Sequence, residues 1–140
     1  MRDAIAPDLV QVDGLKMYFP VYSGVLRRHS GDIKAVDDVS FTIRAGETFG
    51  LVGESGCGKS TLGRAMLRLY DPTAGRVVID GEDIARLSPE ALRKKRPTMQ
   101  MVFQDPLASL NPRMSLSSII GEPLVEHTAL TTAQRQDRIY

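Results

Sequence analysis

The segment that decides the fold of this chain is Phe49-Gly50-Leu51-Val52-Gly53-Glu54-Ser55-Gly56-Cys57-Gly58-Lys59-Ser60-Thr61. From Gly53 onward it fits G-x-x-x-x-G-K-[ST], the phosphate-binding loop that joins a strand to a helix. Its glycines let successive backbone N–H groups turn toward an anion without obstruction by side chains. We therefore predict a site for a nucleoside triphosphate. The alternative is a glycine-rich turn with a surface lysine.

Individual residues of this loop have distinct predicted roles. Lys59 would reach the β- and γ-phosphates, and the Ser60 hydroxyl would hold Mg²⁺. A helix that begins near Gly58 would add the positive end of its dipole to the pocket. Cys57 has no catalytic role that we can argue, and we interpret it as a small residue that fits the turn. The predicted phosphate-contact residues are Gly53, Glu54, Ser55, Gly56, Cys57, Gly58, Lys59, Ser60 and Thr61.

Composition limits the classes of function. The chain has 140 residues, of which 42% are hydrophobic and 25% charged, as in an ordinary globular domain. Its net charge of +1 gives no long-range attraction for nucleic acid. The single cysteine excludes an internal disulfide and fits a reducing compartment. We see no secretory signal and no apolar run long enough to span a membrane, so we expect any membrane role to come through a partner.

The hydrophobic pattern predicts an α/β sheet with an antiparallel N-terminal part. A loop or long hairpin tip is expected over Pro20–Lys34. Helices are expected over Lys59–Tyr70, from Pro89 with Ser88 as N-cap, and from Ser115, with a break or kink near Gly121-Glu122-Pro123. The predicted strands are Leu9–Phe19, Ala35–Arg44, Thr48–Val52, Arg76–Asp80 and Thr98–Gln104.

Two polar residues at strand ends are further candidates. Asp80 follows an apolar strand and could hold Mg²⁺, but Asp80-Gly81 also fits a hairpin turn, which we favour. Gln104 ends the apolar segment that begins at Thr98. Ligands of open α/β sheets lie beyond the carboxyl ends of strands, so Gln104 is predicted to meet Mg²⁺ or an attacking water. Tyr18 and Phe19 are either strand core residues or a ring that stacks on adenine.

Several motifs follow one another along the chain: Ala35-Val36-Asp37-Asp38-Val39-Ser40-Phe41, Gly46-Glu47-Thr48, Gly53–Thr61, Asp71-Pro72-Thr73-Ala74-Gly75 and Phe103-Gln104-Asp105-Pro106. With these motifs the sequence resembles the ATP-binding subunits of ABC transporters, from about Leu9 to Leu130. The run from Met101 to Arg113 is similar to the dipeptide/oligopeptide importer branch, which includes nickel and glutathione importers. The long insert with Arg27-Arg28 resembles the second of the paired ATPases in those importers.

The resemblance implies ATP and Mg²⁺ as ligands, with Gly53–Thr61 as the Walker A loop and Gln104 as the Q-loop glutamine. It places the adenine-stacking aromatic on Phe19, with Tyr18 as the alternative. It also implies transmembrane permease subunits and a second ABC ATPase subunit as partners, at the cytoplasmic face of the inner membrane. The loop Gln104–Met114, with its apolar Leu107, Leu110 and Met114, would contact the permease.

Several family motifs are not present in this sequence. It contains no L-S-G-G-Q signature and no second apolar strand ending in Asp-Glu, and His127 does not fit the switch histidine. We therefore expect the N-terminal part of an ATPase domain, with residues 1–104 as β-subdomain and loop core and 105–140 as the start of the helical subdomain. Such a chain would bind nucleotide without turnover. The alternatives are a small phosphate-loop kinase using Asp80 and a non-catalytic remnant.

Overall fold

The structure, a computed structural model, describes residues 7–25, 27–105 and 110–140. The chain forms two compact units, Met1–Arg93 and Lys94–Tyr140. The predicted boundary after Gln104 concerns the subdomains of a longer domain, and it stays a prediction.

The first unit is built on a four-stranded antiparallel sheet in the order β2-β1-β3-β4. Its strands are β1 (Asp8–Ser23), β2 (Arg28–Arg44), β3 (Ala74–Ile79) and β4 (Glu82–Asp83). Helix α1 (Lys59–Met66) lies between β2 and β3 in the chain, and a short 3₁₀ turn (Ile84–Arg86) and α2 (Pro89–Lys95) follow β4. Apolar residues of β1, β3, α1 and the 3₁₀ turn form the core; fully buried among them are Val12, Leu15, Val77 and Ile84.

The predicted hairpin between the first two strands is confirmed, but its strands are longer than expected. The β1–β2 ladder continues from Tyr18, opposite Lys34, to Ser23, opposite Arg28. Pro20 lies within β1, opposite Asp32, instead of ending the strand. Beyond Lys16 no β3 residue pairs with β1, so Pro20 lies on an edge, where a residue without an N–H donor is tolerated.

Two predicted strands are wrong. Thr48–Val52 and Thr98–Gln104 do not belong to a strand, and Thr98 ends a 3₁₀ turn (Arg96–Thr98). A parallel strand is stable only between hydrogen-bonded neighbours, and the described residues supply no such ladder for either segment. Several of their apolar side chains are open to solvent: Val52 is 93% exposed and Val102 95%, whereas Met99 is buried.

The predicted start of α1 and the predicted turn at Asp80 are confirmed. Helix α1 ends earlier than expected, at Met66, because Arg68 adopts a left-handed conformation (φ 50°) and its guanidinium bonds the carbonyls of Ile84 and Leu87 at 3.3 and 2.6 Å. Asp80 (φ 51°) and Gly81 (φ 77°) make the tight turn between β3 and β4. A turn with two left-handed residues is typical of two-residue hairpins.

Helix caps follow the sequence in both units. The Ser88 hydroxyl accepts from the N–H of Ala91 at 3.2 Å, as predicted for the N-cap of α2. In the second unit, Ser115 caps α3 (Leu116–His127), and Thr131 forms a capping box with Gln134 at the start of α4 (Thr132–Ile139).

Of the break or kink predicted near Gly121-Glu122-Pro123, the break is wrong, because α3 continues through this segment with Pro123 inside the helix. The kink stays a prediction. Gly121 is buried, and a Cβ there would come within 3.0 Å of the Ile139 side chain. The glycine thus serves the close approach of α4 rather than a helix end. Across the described ranges, the helices are too short or too polar to cross a membrane.

Candidate functional site

The glycine loop ends in a helix N-terminus with free donors. Gly56 (φ 84°) and Gly58 (φ 95°) are left-handed, and α1 begins directly after Gly58. The first intrahelical bond runs from the Leu62 N–H to the Gly58 carbonyl at 2.8 Å. The N–H groups of residues 59–61 therefore have no acceptor within the helix, as at every helix start. Together with the helix dipole, they make this end of α1 suitable for an anion.

Close packing fixes the loop against the sheet. A Cβ on Gly58 would lie 2.2 Å from the carbonyl oxygen of Ala35 in β2, which no side chain can tolerate. A Cβ on Gly53 would lie 2.6 Å from the Cys57 sulfur, so the loop is also tight within itself. Gly58 is thus needed both for space and for its backbone conformation, whereas a side chain at Gly53 would require the Cys57 side chain to rotate away.

Lys59 lies across the loop and is held by carbonyl groups. Its Nζ donates to the carbonyl oxygens of Gly53 and Glu54 at 2.7 and 2.6 Å, and it lies 3.5 Å from the Cys57 sulfur. Within the described part of the chain, Lys59 forms no ion pair with a carboxylate. Its positive charge is therefore available to a bound anion that displaces the neutral carbonyls.

A cavity of about 340 Å³ adjoins this loop. It has the size of a small-molecule site, and its lining is mostly apolar with a few polar groups. The charged lining residues are Lys59, from the loop, and Asp37, from β2. The remaining lining residues are Ala35, Val36, Val39, Leu51, Val52, Cys57, Gly58 and Leu62.

Asp37 belongs to a cluster with Tyr18 and Lys34. The Tyr18 hydroxyl donates to Asp37 Oδ1, Lys34 Nζ donates to Asp37 Oδ2 at 3.3 Å, and Lys34 lies 5.3 Å from the centre of the Tyr18 ring. The hydrogen bond from Tyr18, followed by that from Lys34, lowers the pKa of Asp37. The same bonds to Asp37 raise the pKa of Tyr18 and of Lys34. The carboxylate is thus held in its charged form.

Phe19 has different surroundings from Tyr18. Its ring packs edge-to-face on Tyr70 with 5.6 Å between the centroids, and the Tyr70 hydroxyl accepts from Arg64 at 3.1 Å. Tyr18 contacts a residue that lines the cavity, whereas Phe19 contacts the segment after α1. Which of the two rings stacks on a base stays a prediction.

The predicted metal ligands are Ser60 and Gln104, and the described residues do not show a complete metal site around them. Ser60 is exposed at the start of α1, next to Lys59, and Thr61 is half-buried. Gln104 is an exposed residue at a bend in the second unit. Residues 7–25, 27–105 and 110–140 contain no cluster of three or more His, Cys, Asp or Glu side chains that could hold a metal ion. A cation at the loop would thus depend on the Ser60 hydroxyl and on phosphate oxygens, which suits Mg²⁺.

The sequence analysis missed Asp37 and Lys34 as parts of the site. The only available signal was the position of Asp37 in the motif Ala35–Phe41 ahead of the loop, with Lys34 directly before that motif. Their link to Tyr18 depends on the register of β1 against β2, which no local pattern reveals.

A glycine loop that leads into α1 is typical of phosphate-loop nucleotide-binding proteins, and the comparisons with known proteins agree. Residues 36–139 match the family described as ABC transporter. The chain belongs to this family. The resemblance to ABC transporter ATP-binding subunits is thereby confirmed.

Characterised relatives extend this result. The chain is 54% identical over 140 residues to the oligopeptide transport ATP-binding protein AppF of Bacillus subtilis (strain 168), covering 99% of this chain and 43% of that protein. It is 43% identical over 136 residues to the glutathione import ATP-binding protein GsiA of Pectobacterium atrosepticum, covering 97% of this chain and 22% of that protein. The chain thus spans less than half the length of these relatives.

A solved structure confirms the predicted α/β fold class. The ATP-binding cassette MJ0796, in a dimeric post-hydrolysis state with ADP and Pi, superposes with a TM-score of 0.74 at 26% identity. The match covers 93% of this chain and 53% of that one.

Proposed function

We propose that this chain is the N-terminal, nucleotide-binding part of an ABC importer ATPase that uses ATP to drive uptake of peptides or similar small solutes. The observation that carries the proposal is the Lys59 ammonium, held over the loop by two carbonyl oxygens at the N-terminus of α1. The names of the relatives, which are peptide and glutathione transport proteins, support the cargo class.

Different groups of the loop would bind different parts of Mg·ATP. The N–H groups of residues 59–61 would bind phosphate oxygens, and Lys59 would exchange its carbonyl partners for the β- and γ-phosphates. Mg²⁺, when bound, neutralises charge on these phosphates, and Ser60 would hold it. Gln104 would contact the ion and the attacking water. Phe19 or Tyr18 would stack on the adenine.

The proposed partners are permease subunits and a second ABC ATPase, at the cytoplasmic face of the membrane. Within the loop proposed to contact the permease, Leu110 is 40% exposed and Met114 is half-buried, while Leu107 lies outside the described residues. A phosphate-loop kinase, the alternative from the sequence, has less support, because Asp80 lies in the β3–β4 turn.

Binding without turnover tests this proposal. Titration calorimetry of the purified chain with Mg·ATP should show one site per chain, and phosphate release should not exceed that of buffer, because this sequence has no signature motif and no second acidic strand. Phosphate release that disappears in Lys59→Ala would contradict the proposal and favour a self-sufficient enzyme. Absence of ATP binding by the folded chain would contradict it as well.

A further inference from the structure

The cavity beside the phosphate loop contains an acceptor that phosphate binding does not use. Asp37 lines this cavity, and each of its carboxylate oxygens accepts one hydrogen bond, from Tyr18 and from Lys34. An ionised carboxylate has about four acceptor positions. Asp37 can therefore accept further hydrogen bonds from a ligand in the cavity.

Neighbouring groups balance the negative charge of Asp37. Lys34 Nζ lies 3.3 Å from Oδ2, and the Tyr18 hydroxyl bonds Oδ1. Like an ordinary aspartate, Asp37 is ionised at neutral pH, and the hydrogen bond from Tyr18 lowers its pKa further. Because Lys34 offsets the negative charge, Asp37 can lie in the same cavity as a triphosphate without strong repulsion.

The two charged residues of the cavity lining, Lys59 and Asp37, would orient a bound nucleotide. The phosphates of a nucleotide would go to Lys59, which leaves Asp37 for a part of the ligand that carries hydrogen-bond donors and no negative charge. Ribose hydroxyls meet this requirement, and carboxylates bind the ribose 2′-hydroxyl in dinucleotide-binding folds.

We propose that Asp37 accepts hydrogen bonds from the ribose hydroxyls of the bound nucleotide, so that the site prefers ribonucleoside over 2′-deoxyribonucleoside triphosphates. Tyr18 and Lys34 are positioning residues that hold the carboxylate at the cavity. This proposal rests on the nucleotide-binding function proposed above and names the sugar that the same site selects.

Binding of three probes tests the proposal: ATP, 2′-deoxyATP and inorganic tripolyphosphate, each with Mg²⁺. A hydrogen bond to a charged acceptor is worth about tenfold in affinity, so the unaltered chain should bind ATP about tenfold more tightly than 2′-deoxyATP. In Asp37→Ala this preference should fall to less than about twofold, with tripolyphosphate affinity unchanged. Tyr18→Phe, which keeps the ring and removes the donor to Asp37, should reduce the preference to about threefold.

Asp32→Ala is the matched control. Asp32 is also an exposed carboxylate of β2 that is hydrogen-bonded to a side chain three residues earlier, the His29 imidazole, but it does not line the cavity. This variant should keep the full preference for ATP. Equal affinity of the unaltered chain for ATP and 2′-deoxyATP, with weaker binding of both in Lys59→Ala, would overturn only the proposed role of Asp37 and would leave the nucleotide site in place. Unchanged binding of ATP and tripolyphosphate in Lys59→Ala would overturn the nucleotide site itself.

Discussion

Replacing Lys59 by alanine is expected to weaken Mg·ATP binding by about a hundredfold or more, because charge-assisted hydrogen bonds to two phosphates are lost. In the structure the Lys59 ammonium is bonded to two neutral carbonyl oxygens and lies near the sulfur of Cys57. Because charged phosphate oxygens are stronger acceptors than these neutral groups, the ammonium can exchange them for phosphates at little cost. AMP, which has no β- or γ-phosphate, should bind the variant and the unaltered chain alike. Titration calorimetry measures the affinity of each protein for both ligands.

Arg28→Ala is the control for loss of a positive charge. Arg28 is exposed at the start of β2 and does not line the cavity, so its removal should leave ATP affinity within about twofold. Equal ATP affinity of Lys59→Ala and the unaltered chain would show that the loop is not the phosphate site.

Gly58→Ala is expected to abolish ATP binding although every polar group of the site is retained. The added Cβ would lie 2.2 Å from the Ala35 carbonyl oxygen, so the loop must move away from β2 and α1 must begin differently. The left-handed conformation of Gly58 (φ 95°) adds a cost of about 1–2 kcal/mol for a residue with a Cβ. Chemical denaturation should therefore show a lower free energy of unfolding together with the loss of binding.

Gly46→Ala separates these two effects. Gly46 also has a positive φ of 76°, but a Cβ there meets no atom within 4 Å. It should lower the free energy of unfolding by about 1 kcal/mol and leave ATP affinity unchanged. If Gly58→Ala matched Gly46→Ala in both measurements, the close packing of the loop on β2 would not matter for the site.

Features set by neighbouring residues could be predicted from the sequence. The start of α1 follows from the glycines before Lys59, and the turn at Asp80-Gly81 follows from the left-handed conformations that this pair tolerates. The Ser88 cap depends on a hydroxyl three residues from its N–H partner. Each of these features is decided within a few residues, where side-chain chemistry acts directly on the backbone.

Features that depend on distant partners could not be predicted. Apolar segments such as Thr48–Val52 have strand composition, but a strand also requires a neighbour to complete its ladder. The Tyr18–Asp37 bond joins residues that are 19 positions apart, and it depends on the irregular β1–β2 register between Met17 and Tyr18. Neither the presence of a neighbouring strand nor the register between two strands can be inferred from a short segment of sequence.

We expect phosphates to bind in the loop Gly53–Thr61, and the alkylation rate of Cys57 reports on this binding. Cys57 is the single cysteine of the chain, it is exposed, and it lines the cavity beside Lys59. A thiol-specific reagent therefore reports on the loop alone. Saturating Mg·ATP should cover the thiol and slow its alkylation severalfold, with no such protection in Lys59→Ala. An equal alkylation rate with and without saturating Mg·ATP would show that the loop Gly53–Thr61 does not bind the phosphates.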